Sequence, residues 1–293
     1  MVNQTTIGRR AFLSGALALG AMQARAQNGP RLAAVDWAML ETALALGITP
    51  VSACELVRFR ADARHPAVPE ETVDLGLRSA PNFELLQLTR PDLVLTSPWY
   101  AQIEPRLSAI APVMSHGTYL PGEAPWPHAV AALHAVGART GHESAAREVE
   151  AGAEAEIAAL SAQLAALRDR PLYAIEIGDA RHFRAFGPDS MFGNMLSLLG
   201  VENAWDAPTE YSFAAPLPME RLSERPDARI LAVGGIPTVA RRGLRNSVLW
   251  NRLPPVAAGR FATLPPVNAF GGVPAGLRFA RLLTDTLAPG ATA

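Results

Sequence analysis

Arg78 and Tyr100 carry the clearest chemical signal in the chain. Arg78 lies in the run Val73-Asp74-Leu75-Gly76-Leu77-Arg78-Ser79-Ala80-Pro81-Asn82-Phe83-Glu84-Leu85-Leu86, where a strand end turns at Gly76 and a helix opens near Pro81 and Asn82. A loop held from both sides in this way presents a guanidinium at the mouth of a cleft. Tyr100 follows the next apolar run, Leu93 to Leu95, and so belongs to a neighbouring strand end. A planar fork of N–H donors beside a phenolic O–H suits an oxygen-rich ligand. Other chemistries lack their residues. All 26 cationic side chains are arginine, which removes Schiff-base and phosphate-loop lysines. There is no G-x-S-x-G elbow, phosphate loop or G-x-G-x-x-G fingerprint. His65, His116, His128, His134, His142 and His182 do not fall at metal-ligand spacing, and His182 beside Arg181 reads as a turn or packing residue. Asp36, Asp74 and Glu84 read as helix or turn caps.

The elements that must hold such a pair follow from apolar periodicity. Leu32–Val35, Val51–Cys54, Asp92–Leu95 and Pro112–Met114 read as strands, with helices over Ala38–Leu46, Asn82–Leu88 and Ile103–Ala109 between them. That alternation predicts an α/β fold with a mostly parallel sheet. From His142 to Leu167 the composition turns to Ala, Glu, Leu and Arg, and Ile157, Leu160, Leu164 and Leu167 recur at helical spacing. A helix of that length reads as a strut between two lobes. The βα rhythm then resumes with a strand at Leu172–Ile177, a helix at Phe192–Leu199, a strand at Ile230–Val233 and a helix at Gly276–Leu287. The second half echoes the first: Pro81-Asn82-Phe83-Glu84-Leu85-Leu86 before Arg90-Pro91-Asp92 matches Pro218-Met219-Glu220-Arg221-Leu222 before Arg225-Pro226-Asp227. Two similar lobes on one strut suggest a clamp with its ligand between them.

Bulk properties narrow the partners. The chain has 293 residues, 49% of them apolar, and a formal net charge of -1, which argues against nucleic acid as partner. Arg9-Arg10, the apolar run Ser14–Met22 and Ala24-Arg25-Ala26 read as an export signal over residues 1–26, resembling the twin-arginine type. An ordinary secretory signal is the alternative. Either route predicts a soluble periplasmic protein, and the single cysteine, Cys54, rules out an internal disulfide.

Several segments together resemble the periplasmic binding proteins for ferric hydroxamate siderophores, the FhuD type. They are Trp37 with Glu41 through Gly47-Ile48-Thr49-Pro50, the Asp74–Leu86 run, Arg181-His182 with Phe186-Gly187-Pro188-Asp189-Ser190-Met191-Phe192, Asn203-Ala204-Trp205, and Leu249-Trp250 with Ala258-Gly259-Arg260-Phe261. The resemblance runs from about Leu32 to Leu287. It implies two Rossmann-like lobes joined by one long helix, the class III binding-protein fold. The chain then divides into an N-terminal lobe at 30–141, a linking helix at 142–169 and a C-terminal lobe at 170–293.

The resemblance also assigns roles. Arg78 and Tyr100 hold the positions that hydrogen-bond hydroxamate oxygens around iron. The chelator already fills the coordination sphere of the hard ferric ion, so the protein needs donors, and no protein metal ligand or cofactor is expected. Trp99, Met191, Trp205, Tyr211, Phe213 and Phe270 are the candidate apolar wall. Ser212 and Asn268, like Thr96, stand where the family carries tryptophan, which leaves the identity of the ligand open. Glu104 and Glu220 correspond to carboxylates that dock such proteins on an inner-membrane ABC permease, with Glu104 displaced by one residue. The reading is a monomeric binding protein, not an enzyme. Alternatives are capture of another iron chelate or a corrinoid on the same fold, or a periplasmic hydrolase of such chelates.

Overall fold

A computed structural model describes residues 29–209 and 214–287. The expected export signal lies outside these residues, as do Tyr211, Ser212 and Phe213. The compact unit begins at Arg31.

Its first half is a parallel sheet of β1 (Leu32–Ala34), β2 (Ser52–Ala53), β3 (Val73–Asp74), β4 (Leu93–Thr96) and β5 (Val113–Ser115), in the order β3-β2-β1-β4-β5. Every residue of β1 and β4 is buried, as expected for short apolar strands covered on both faces. Between them run α1 (Trp37–Ala45), α2 (Leu56–Asp62), α3 (Phe83–Thr89) and α4 (Glu104–Ser108). Local sequence sets their limits. Asp36 caps α1 by accepting from the Met39 N–H at 3.1 Å, and Asn82 caps α3 by accepting from Leu85 N–H at 2.9 Å. Gly47, at φ +77°, turns the chain just beyond α1. The capping role read from the sequence for Asp36 is therefore observed, and the helix expected to open near Asn82 is capped by it.

After β5 come α5 (Pro125–Thr140) and α6 (Glu143–Gln163), followed by a short 3-10 turn at Ala165–Leu167. The long helix thus stops earlier than the apolar spacing predicts, and Leu164 and Leu167 bury themselves from a turn rather than from a helix face. The second sheet has β6 (Leu172–Ile177), β7 (His182–Ala185), β8 (Ala214–Pro218), β9 (Arg229–Val233) and β10 (Phe261–Leu264), in the order β10-β9-β6-β7-β8. Here β6 pairs parallel with β9 but antiparallel with β7. The strands β7 and β8 are absent from the sequence reading. The β6–β7 turn is made by Asp179, whose carboxylate accepts from the N–H groups of Arg181 and His182 at 2.6 and 2.8 Å. His182 is therefore the first residue of a strand. The remaining helices are α7 (Met191–Leu198), α8 (Thr238–Asn246), α9 (Val248–Arg252), α10 (Pro254–Ala257) and α11 (Val273–Leu287). The echoed segment at Met219–Ser223 forms a 3-10 turn where its counterpart forms α3.

One core cluster spans both sheets. A single hydrophobic cluster runs from Leu32, Met39 and Leu40 through Trp126 and Leu133 to Phe192, Leu231 and Phe279. Phe192 of α7 stacks on Phe279 of α11 with ring centroids 4.6 Å apart. A side chain of this size buried in full contributes roughly 1.5–3 kcal/mol of apolar transfer. The sheets are held together by α1, α5, α7 and α11 as well as by α6, so the strut is one connection among several.

Candidate ligand-binding cleft

Parallel sheets gather loops at the carboxyl ends of their strands, and a crevice forms where the strand order reverses direction. In the first sheet that point lies between β1 and β4. Asp36 follows β1; Ser97, Trp99 and Tyr100 follow β4; Thr118 and Tyr119 follow β5; Arg78 follows β3. These seven residues and Phe270 line one recess of about 150 Å³. It adjoins a larger trough of about 590 Å³, also lined by Arg78 and Phe270, with Trp37, Arg58 and Asp62 from the first half and Glu176, Arg184, Phe186, Phe192 and Gly234 from the second. Sites for drug-sized ligands span roughly 300–1,000 Å³, so the recess alone is small for one and the trough is not.

The Arg78 guanidinium is placed from two sides. Its Nε donates to Glu55 Oε2 at 3.1 Å, its backbone N–H donates to Glu55 Oε1 at 3.2 Å, and its charged carbon stands 4.1 Å from the Trp37 ring centroid. Cation–π attraction of this kind contributes about 0.5–2 kcal/mol. Glu55 reaches Arg78 because its backbone takes the left-handed conformation, at φ +54°, just before α2. Its own N–H donates to Gly76 O at 2.8 Å, which binds the turn after β2 to the turn after β3. Such a backbone costs a non-glycine residue about 1–3 kcal/mol, and the two bonds to Arg78 together with the one to Gly76 hold it. Among the described residues nothing accepts from the two terminal nitrogens of Arg78, so its outer edge is left to the cavity it lines.

Tyr100 sits at a kink in the 3-10 turn Pro98–Ile103, with φ −111° and ψ 20°. Burial pushes its phenol up to about 12, against the pull of the neighbouring Arg78 charge. The hydroxyl therefore stays protonated, and it is a donor at any physiological pH. Asp36 also faces the recess. Burial raises its carboxyl, while Met39 N–H, the Ser97 hydroxyl at 2.9 Å and Arg78 act in the opposite direction. The Thr118 hydroxyl is buried on the recess wall with no partner among the described residues. Phe270 meets Trp99 and Tyr119 edge-to-face, with centroids 6.1 and 5.5 Å apart, and these three rings form the apolar side.

The structure brings together Arg78, Tyr100, Trp99 and Phe270 of the residues named from sequence, and separates others. Met191 is fully buried: it is the first residue of α7, and its sulfur packs beneath Gly276 of α11. It forms no part of the cleft wall. Trp205 is also misplaced by the sequence reading. It is buried in a second core against Phe183, under the Arg221 guanidinium at 4.5 Å, and borders a separate groove with Tyr173. Asn268 borders the trough, but its amide N–H donates to Glu41 and its oxygen accepts from Phe270 N–H. Its side chain is thus occupied within the protein. Glu104 opens α4 half-exposed, and Glu220 is exposed in the turn after β8. Sequence reasoning missed Asp36, Ser97, Thr118 and Tyr119 as lining residues and Glu55 as the partner of Arg78. Their positions just after strands were the available signal.

Among the described residues no cluster of His, Cys, Asp and Glu is arranged to hold a metal ion, and no helix is long and apolar enough to cross a membrane. Comparison with known proteins agrees with the architecture. The Escherichia coli iron(3+)-hydroxamate-binding protein FhuD is 29% identical over 257 residues, covering 88% of this chain and 86% of its own. The Fe3+–Desferal-bound siderophore binding protein FhuD from Vibrio cholerae superposes with a TM-score of 0.82 at 25% identity, covering 89% of this chain and 99% of its own. The petrobactin-binding protein YclQ from Bacillus subtilis shares the fold at a TM-score of 0.69 and 17% identity, over 88% and 92% of the two chains. These relatives are named as binding proteins, and the two-sheet arrangement is that of the class III binding proteins. With the family model for periplasmic binding proteins matching residues 32–267, the chain belongs to that family.

Proposed function

We propose that this protein captures a ferric hydroxamate siderophore in the periplasm and delivers it to an inner-membrane ABC permease. The observation that carries this reading is the presence of the Arg78 guanidinium and the Tyr100 hydroxyl on one recess. A wrapped ferric hydroxamate presents anionic oxygens already bound to iron. It calls for donors that share those oxygens without competing for the metal, and Arg78 supplies N–H donors and Tyr100 an O–H donor. One edge of the chelate enters the recess beside Trp99, and its organic linkers occupy the trough against Phe270 and Phe186. The similarity to proteins named for hydroxamate and Fe3+–Desferal binding supports the ligand class. Glu104 and Glu220 are the docking carboxylates in this reading, and both are accessible on the surface. The iron is cargo, and the chelate leaves unaltered.

The test is a titration of the exported form with ferrioxamine-type, ferrichrome-type, catecholate and corrinoid ligands, followed by tryptophan emission. Hydroxamates bind most tightly on this account, and the chelate is recovered intact. A preference for catecholate or corrinoid, or turnover of the chelate, overturns it.

A further inference from the structure

Glu41 is completely buried, yet its side chain is ionisable, and it touches nothing in the recess or the trough except through Asn268. It projects from α1, in the first half of the chain, and its partners lie more than 200 positions away in sequence. Asn268 Nδ2 donates to its Oε1 at 2.7 Å; the N–H groups of Gly272 and Ala275 donate to its Oε2 at 2.8 and 3.2 Å. The Gly272 N–H is an orphan donor at the start of α11, whose positive end favours an anion, and the Ala275 N–H is shared between Glu41 and Gly272 O, the latter at 3.1 Å. Beside them the Tyr119 hydroxyl donates to Gly271 O at 2.7 Å. Gly271 has no room for a side chain, because an added Cβ would fall against the Glu41 carboxylate and Ala275. The segment 268–275 is therefore fastened to the first half of the chain by three bonds to Glu41, one to Tyr119 and the close approach at Gly271.

That segment carries Phe270. Asn268, held by Glu41 through its amide nitrogen, uses its oxygen to accept from Phe270 N–H at 3.1 Å. We propose that Glu41 is a positioning residue of the ligand cleft: it ties the 268–275 segment to α1, and through Asn268 it fixes where Phe270 stands against Trp99 and Tyr119. The inference rests on the reading of the recess as the binding site only for its effect on affinity. The placement of Phe270 is testable without any ligand.

Three features make this more than a buried ion. All three bonds run towards the carboxyl oxygens, so the group, when ionised, accepts from the Asn268 amide and from both N–H groups. Both sides of the cleft meet at this seam, so a shift there moves the one aromatic wall that lines recess and trough together. The order of contacts, Glu41 to Asn268 to Phe270, also defines a swap that restores it. In the double variant Glu41→Gln with Asn268→Asp, the amide and the carboxylate exchange places. The amide N–H now at position 41 donates to the carboxylate at position 268, and the amide oxygen accepts from Gly272 and Ala275. The carboxylate at position 268 still accepts from Phe270 N–H.

The experiment compares the exported form with E41Q, N268D, the E41Q/N268D pair and F270A. Burial pushes the Glu41 carboxyl up to about 8, so measurements are made near pH 9, where the anion dominates. The first readout is the Trp99 contribution to emission and near-ultraviolet dichroism, obtained by subtracting W99F in each background, without ligand. The second is affinity for ferrioxamine. We expect E41Q and N268D each to change the Trp99 signal towards that of F270A and to weaken binding about tenfold. The swapped pair should recover both to within about threefold of the parent. Where E41Q fails to fold, N268A replaces it as the single variant, with the same expectation. A Trp99 signal unaltered in the folded single variants, or a swapped pair no better than its parents, overturns the proposal. If the Trp99 signal behaves as expected but ferrioxamine does not bind the parent, Glu41 keeps its positioning role and the ligand assignment fails instead.

Discussion

Replacing Arg78 with alanine separates the part of the site that meets the ligand from the part that holds the fold. Two consequences follow from its contacts. The outer guanidinium nitrogens, turned to the recess, are lost to the ligand. Hydrogen bonds from a charged donor contribute about 1.5–3 kcal/mol, which corresponds to a loss of roughly tenfold to a hundredfold in affinity. Glu55, with 17% of its side chain exposed, is left without its cation in both free and bound protein. That cost therefore cancels from the affinity and appears in thermal stability. Arg78→Lys divides the effect further, because it keeps the charge but lacks the fork that serves Glu55 and the recess at once. Its affinity should fall between the parent and R78A. The assay is a tryptophan-emission titration with ferrioxamine at constant salt, with melting temperature measured on the same samples. A folded R78A that binds within about twofold of the parent would remove Arg78 from the site and refute the argument.

Other outcomes follow from single contacts. Tyr100→Phe keeps the ring and loses the donor, so hydroxamate affinity should drop by about 1 kcal/mol with no change in melting temperature, as measured by calorimetry. Thr118→Val removes a buried hydroxyl that has no partner among the described residues, and it should weaken ligand binding several-fold in the same titration while leaving the free protein at least as stable. Burial pushes the Cys54 thiol up to about 12 from the usual value near 9. An unfolded chain ionises this thiol first, so the stability it represents is complete below pH 9 and is lost as pH rises towards 12, at up to about 1.4 kcal/mol per pH unit. Chemical denaturation of the parent and of C54A across that range should show the steeper loss in the parent. Phe279→Ala should cost about 3–5 kcal/mol, because the ring is fully buried on Phe192 between the two sheets, and urea unfolding would report it.

The first half of the fold was legible because its signals are local. Short apolar strands, the caps at Asp36 and Asn82 and the glycine turns at Gly47 and Gly76 each act within a few residues. Arg78 and Tyr100 were readable for the same reason: each follows a strand, and parallel strands bring their carboxyl ends together. The second half was harder. The hairpin β6–β7 depends on an aspartate turn between short strands, and β8 has a proline at Pro216 that hides it from strand propensity. Met191 and Trp205 were misassigned because apolar type does not say which way a side chain faces; the packing of α7 on α11 and of Trp205 on Phe183 decides it. Glu41 and Asn268 were invisible as a pair because 227 positions separate them. No local rule brings such residues together, and only the docking of one sheet on the other does.

The central claim is that the recess between Arg78 and Tyr100 receives the oxygens of a wrapped ferric chelate, and a crystal structure of the complex with ferrioxamine tests it most directly. The account predicts chelate oxygens about 2.7–3.2 Å from the terminal nitrogens of Arg78 and from the Tyr100 hydroxyl, with the iron untouched by any protein atom. A chelate seated in the groove beside Trp205, or in the trough with neither residue donating to it, would contradict the account.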